Sequence, residues 1–218
     1  MTTLTRESIV AAIERARVVA VIRIKDPARL ESVAMALIEG GVTAMEITMT
    51  VPGAVDLIRG LAPRMPAGFL LGAGTVVDAD TASKVIDAGA QFIVSPVFRP
   101  DVVARCRQHN VAALPGCFSP TEILAAWDAG ADIVKVFPAT ALGPQYIKDV
   151  LAPLPQVKLM PTGGITLENA GNWIRAGAVA VGAGSSLLDA QAIADGRFDI
   201  ITNNARRIVS SVTGARAS

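Results

Sequence analysis

The chain has few of the residues that support metal or redox chemistry. One histidine, two cysteines and no Cys-x-x-Cys argue against a zinc site of the usual ligand types. Cys106 and Cys117 alone are weak evidence for a disulfide. Only five lysines occur, the net charge is +1, and no block of like charge appears. A nucleic-acid footprint needs clustered Lys and Arg on one face, so no such partner is expected. Apolar runs are strand-length and interrupted by charge or glycine, so none is expected to span a membrane. The first residues carry Glu7 and Glu14 and no signal-peptide h-region. These features predict a cytoplasmic chain with reduced thiols. No Ser/Pro-rich or low-complexity stretch breaks the sequence, which predicts one domain over residues 1–218.

What is abundant is aliphatic. Hydrophobic residues make up 51% and aromatics 4%, a mixture suited to strands buried on both faces under helices. Short Val/Ile/Leu-rich runs recur roughly every twenty to thirty residues, most of them followed by a helical pattern. They read VVAVIRI from Val18, TAMEITM from Thr43, FLLGAG from Phe69 and QFIVSP from Gln91. The series continues with VAALPG from Val111, DIVKVFP from Asp132, VKLMPTG from Val157 and AVAVGAG from Ala178. Between them lie helical stretches such as Pro27–Glu39, Asp80–Ala88, Asp101–Gln108 and Leu167–Ala176, and a last one covers Ile200–Val212. Eight strands alternating with helices predict a (β/α)₈ barrel, with an extra N-terminal helix over Arg6–Arg17. An open doubly wound sheet is the competing arrangement. Segments ending Glu-Gly-Gly or Asp-Ala-Gly-Ala, from Glu39, Asp87 and Asp128, read as helix C-caps with glycine in the left-handed turn.

A barrel directs attention to polar residues at the C-terminal ends of its strands. In DIVKVFP, alternation sets Ile133, Lys135 and Phe137 against Val134 and Val136. The two valines suit the helix-covered face, so Lys135 points inward. It is either a lysine reaching solvent or an acid, or an amine nucleophile. An apolar interior disfavours the ammonium and frees a lone pair for attack on a carbonyl. Glu46 in TAMEITM faces inward by the same alternation, either as an ion-pair partner of Lys135 or Arg23 or as a proton shuttle. Arg23, at the end of the first strand, fits a carboxylate or phosphate ligand or a counter-charge to Glu46. The glycine-rich ends Pro161–Thr166 and Gly182–Ser186 follow the seventh and eighth strands, where barrels bind phosphate through backbone N–H groups and a helix N-terminus. Other residues read as structural. Ser119, Pro120 and Glu122 form a capping box, His109 ends a helix on the opposite face, and Trp127 and Trp173 pack helices.

In order along the chain, EITMTVPGAVDLI, GAGTV, QFIVSP, DIVKVFPA, GPQYIK, PTGGI and VGAGSSL resemble the class I 2-keto-3-deoxy-6-phosphogluconate (KDPG) aldolases. Close relatives in that family act on the phosphogalactonate epimer or on 4-hydroxy-2-oxoglutarate. The resemblance runs from about Val18 to Leu188. It implies a (β/α)₈ barrel assembled as a homotrimer, working without metal or cofactor on pyruvate and a phosphorylated aldehyde in the Entner–Doudoroff route. Lys135 matches the Schiff-base lysine and Glu46 the general acid/base that works through a water. Thr75 and Pro96 match positions around the pyruvyl carboxylate, and Phe137 an aromatic lining the site. Thr162, Gly163 and Gly164, with Gly184 and Ser185, match the loops for the far end of the substrate, phosphate included. Many members read Glu-x-Thr-x-Arg, the arginine gripping the substrate carboxylate, whereas this chain has Thr50 there. Arg23 on the neighbouring strand is the expected substitute for that charge, and substrate preference is where the departure bears most.

Overall fold

The computed structural model describes residues 5–215. Its strands are β1 (Val18–Ile22), β2 (Ala44–Thr48), β3 (Leu70–Gly74), β4 (Phe92–Val94), β5 (Ala112–Leu114), β6 (Gly116–Cys117), β7 (Val134–Val136), β8 (Leu159–Pro161) and β9 (Val181–Ala183). The helices are α1 (Arg6–Ala16), α2 (Leu30–Glu39), α3 (Ala54–Leu61), α4 (Ala79–Asp87), α5 (Pro100–Gln108), α6 (Pro120–Asp128), α7 (Pro144–Leu151), α8 (Ala170–Arg175), α9 (Ala190–Ala194) and α10 (Phe198–Thr213). This is an α/β fold on a curled, wholly parallel sheet of six strands in the order β5-β4-β3-β2-β1-β9, with a second parallel sheet β6-β7-β8.

Each of the eight expected apolar runs carries a strand. The fifth run is divided because Pro115 has no N–H to give a ladder, so β5 and β6 pair into different sheets across it. The Pro115 carbonyl still accepts from Lys135 N at 2.9 Å. On the other side, a parallel bridge joins Thr162 to Gly182, and Val179 N donates to the Leu159 carbonyl at 3.0 Å.

Alternation sorts the side chains as the sequence predicts. Met45, Ile47, Ala73, Ile93, Val134 and Val136 pack under the helices in one apolar cluster. Val19, Ala44, Leu70, Phe92, Val94, Leu114, Ile133 and Met160 form a separate inner cluster drawn from both sheets. Into its base α1 inserts Ile9, Val10 and Ile13, all buried. Apolar burial contributes roughly 25 cal/mol per Å², so covering the strands' N-terminal ends with a helix removes a wet hydrophobic floor. α1 is clamped at its flanks, with Arg6 Nε 3.4 Å from Asp132 and Glu14 against Lys158 Nζ. The loops after the three expected C-caps turn through Gly41, Gly89 and Gly130 at φ of 88°, 104° and 94°. The capping box at Ser119 and Glu122 forms as read.

Candidate active site

Above the apolar floor, the inner face turns polar. Glu46 lies in mid-β2, in register with Val21 of β1 and Gly72 of β3. It is 1% exposed, and its Oε2 has no hydrogen-bond partner among the described residues. Lys135 lies in mid-β7, in register with Gly116 and Met160, and is 6% exposed. Its Nζ stands 4.9 Å from the centroid of the Phe137 ring. No ion pair within 4.0 Å joins Lys135 to Glu46 among the described residues, although each feels the other's charge. The simple ion-pair alternative for Glu46 is therefore not what the side chains adopt.

Burial perturbs both groups. It pushes the Glu46 carboxyl above the usual carboxylate range, with Lys135 and Arg23 opposing the shift. It lowers the Lys135 ammonium, with Glu46 opposing and Arg23 adding to the effect. An acid held toward its protonated form and an amine held toward its free base are the two requirements for imine chemistry with proton transfer. The cysteines offer no rival nucleophile, since burial pushes both Cys106 and Cys117 thiols up to about 12.

Arg23 follows β1 at the mouth of the inner face. It is exposed, with no hydrogen bond or ion pair to another described residue. It therefore does not clamp Glu46, and its five donors are free for an anion. Thr50 is also exposed, its hydroxyl 2.7 Å from that of Thr48. Thr48 is 1% exposed and donates to the Ile22 carbonyl at 3.1 Å, which holds the end of β1, just before Arg23, beside β2. Thr48 is the threonine of the Glu-x-Thr-x-Arg pattern, and period-two alternation sets it on the same face as Glu46.

Thr75 sits directly after β3 with φ 59°, a left-handed backbone that costs a β-branched residue of order 1–3 kcal/mol. Nothing in GAGT announces that conformation. Pro96 is half-buried after β4. Its carbonyl presses on Gly116, the register partner of Lys135, so tightly that a Cβ there would overlap it. Phe137 is half-buried, and its N–H reaches the Cys117 carbonyl at 2.9 Å.

Thr162 is 7% exposed, and its hydroxyl has no hydrogen-bond partner among the described residues. Its backbone N–H donates to the Val136 carbonyl at 3.0 Å, which places it beside the Lys135 strand. Gly163 and Gly164 follow at φ 96° and 72°, a conformation open chiefly to glycine. A Cβ on either would meet the Thr140 hydroxyl, at 3.2 and 3.3 Å respectively. Gly184 is half-buried against Val21, and Ser185 is exposed. Ser186 joins the two loops by donating to the Ile165 carbonyl at 2.7 Å. The expected helix N-terminus does not follow directly on the Gly-Gly turn, because α8 begins only at Ala170 and is six residues long. Asn169 fills the gap, its side-chain amide donating to the Gly164 carbonyl at 2.9 Å. Among the described residues no group of His, Cys, Asp or Glu is arranged to hold a metal ion. His109 caps α5, beside residues of the α1 end of the sheet.

Two desolvated, unpaired charges cost stability, so their removal should restore it. The raised Glu46 carboxyl destabilises increasingly as pH climbs from its unfolded value through its folded one. The lowered Lys135 destabilises at low pH and is relieved as pH rises through its folded value. The Lys135→Met/Glu46→Gln protein should be inactive yet about 1–4 kcal/mol more stable to urea near pH 7. A loss of stability at that pH would contradict this account of the site.

The family model for KDPG and KHG aldolases matches residues 9–204. The chain is 40% identical to a 2-dehydro-3-deoxy-phosphogluconate aldolase of Treponema pallidum, over 89% of this chain and 93% of that one. It is 37% identical to a 2-dehydro-3-deoxy-6-phosphogalactonate aldolase of Escherichia coli K12, over 70% of this chain and 75% of its relative. A crystal structure of KDPG aldolase from Legionella pneumophila, with pyruvate captured as a covalent carbinolamine, superposes with a TM-score of 0.84 at 30% identity, covering 93% of this chain and 97% of that one. A family match over nearly the whole chain, joined to relatives of this identity and coverage, places the protein in the KDPG and KHG aldolase family.

Proposed function

We propose that the protein is a class I aldolase that reversibly cleaves a 2-keto-3-deoxy-6-phospho sugar acid, KDPG first among them, to pyruvate and glyceraldehyde 3-phosphate. The observation that carries this reading is the buried, unpaired Lys135 and Glu46 on one inner face. Lys135 Nζ attacks the C2 ketone to give a carbinolamine, which loses water to an iminium. The iminium accepts the electron pair of the C3–C4 bond as Glu46, through a water, removes the C4 hydroxyl proton. Glu46 then returns a proton to C3 of the enamine, and hydrolysis releases pyruvate. The iminium is the electron sink, so the scheme calls for no cofactor.

Around that pair, Arg23 holds the substrate carboxylate in place of the arginine absent at Thr50, with Thr75 and Pro96 bordering it. Phe137 lines the cavity. Thr162, Gly163, Gly164, Gly184 and Ser185 receive the far end of the substrate. The fold is read as one domain, a closed (β/α)₈ barrel with α1 across its base. Support comes from the shared inner cluster, the Pro115 junction and the Thr162–Gly182 bridge. The cytoplasm is the expected compartment. A second substrate reading, 4-hydroxy-2-oxoglutarate or the phosphogalactonate epimer, is favoured by the relatives' names and by the exchange of arginine for Thr50.

We also read the chain as a homotrimer. Val77, Val97 and Phe118 project, 43–51% exposed, from the loops after β3, β4 and β6, and Leu124 of α6 is 37% exposed. Apolar exposure on neighbouring loops fits a self-associating surface. Sedimentation equilibrium should return three times the chain mass, and a monomer at micromolar concentration would refute the assembly.

Borohydride reduction with pyruvate should leave a mass adduct on the Lys135 peptide, absent in Lys135→Arg. No adduct on the wild-type protein would remove the aldolase mechanism and favour a barrel in which Lys135 only neutralises an anion or serves a non-enzymatic, ligand-binding fold. Arg23→Leu should raise the Michaelis constant for KDPG by about tenfold or more, the loss of a charge-assisted pair of about 1.5–3 kcal/mol. An unchanged constant would reassign Arg23.

A further inference from the structure

The strand glycines differ in what fills the space their missing side chains leave. A Cβ on Gly72 would meet the Phe92 ring at 2.5 Å, on Gly116 the backbone of Pro96, and on Gly182 the side chain of Thr162. On Gly74 it would meet the Glu46 carboxyl, 2.7 Å from Oε1 and 2.8 Å from Cδ. Of these four strand positions, Gly74 alone leaves its space to a titratable group. Gly74 ends β3, and its register partner is Thr48, two residues beyond Glu46 on the same inward face. The carboxyl therefore leans along the wall onto β3.

We propose that Gly74 is a positioning residue, whose bare Cα keeps the Glu46 carboxyl lodged against β3 and off the Lys135 amine. The inference rests on Lys135 and Glu46 being the reacting pair and explains why they are not an ion pair. The charged groups bearing on Lys135 are Glu46 from β2 and Arg23 beyond β1. A methyl group at position 74 leaves the carboxyl no room on β3. The positive charges that act on it are Lys135 first and Arg23 second, so Lys135 is the stronger attraction for a displaced carboxyl. The pair then satisfies itself, the ammonium is stabilised, and the space in which substrate and water work between the two groups closes.

The test is Gly74→Ala beside the wild type, with pyruvate as probe. Borohydride trapping reads imine formation, and deuterium uptake into the pyruvate methyl group reads proton transfer. Exchange should fall about 100-fold, the scale of a misplaced catalytic group. The acid limb of imine formation should move to higher pH, because an ammonium near a carboxylate deprotonates later. Folding is followed separately: Gly74→Ala should lower the melting temperature of the wild type but cost much less in Glu46→Ala, where nothing occupies the space. Unchanged exchange with an unmoved acid limb would overturn the proposal, as would equal melting losses in both backgrounds. A wild type that traps no pyruvate would instead remove the reaction reading, leaving the melting comparison to decide what Gly74 does.

Discussion

An ammonium and a carboxylate buried on one inner face, without pairing, set the terms for the rest of this molecule. Each is desolvated, and neither takes the obvious relief of an ion pair within 4.0 Å. Such an arrangement persists only where the surrounding structure holds it more strongly than the two charges resist. Here the restraint is the apolar floor of Phe92, Val94, Ile133 and Met160, closed from below by Ile9, Val10 and Ile13 of α1. The same burial that strains the two groups moves their proton affinities in opposite directions. That burial gives up stability, and buried groups perturbed in this way mark a candidate site.

Space is the second constraint, and glycine supplies it. Gly72 admits the Phe92 ring that floors the site, Gly74 admits the Glu46 carboxyl, and Gly182 admits Thr162. Read from the chain alone, the glycine-rich ends Pro161–Thr166 and Gly182–Ser186 look like anion loops. Some of them instead answer to neighbours inside the protein. Gly163 and Gly164 satisfy both demands: their left-handed backbone turns the loop, and Thr140 crowds the positions a Cβ would take. A left-handed turn and close packing against Thr140 therefore come from the same two residues.

Much of this was legible beforehand, for reasons that can be stated residue by residue. The period-two pattern of TAMEITM and DIVKVFP is local, so the side of the strand taken by Glu46 and Lys135 follows from the chain. The capping box at Ser119 and the glycine turns at Gly41, Gly89 and Gly130 are equally local. The rest required distant neighbours. Thr75 adopts its left-handed φ where the chain leaves β3, and nothing in its side chain announces it. The fifth apolar run looked continuous, and the missing N–H of Pro115 divides it between two sheets. The helix expected to point at the Gly-Gly loop begins too late, so Asn169 secures that loop instead.

The amino-acid order by itself determined which residues would be inside, which loops would turn, and which family the chain resembles. Those properties depend on spacing within a few residues and on motifs that survive without a fold. Only the tertiary structure decided that Glu46 and Lys135 are close enough to feel each other yet unpaired, that Arg23 is free of Glu46, and that Thr48 ties β2 to the end of β1. Those facts depend on the curl of the sheet and on which side chain fills each gap, and both are set by strands far apart in sequence.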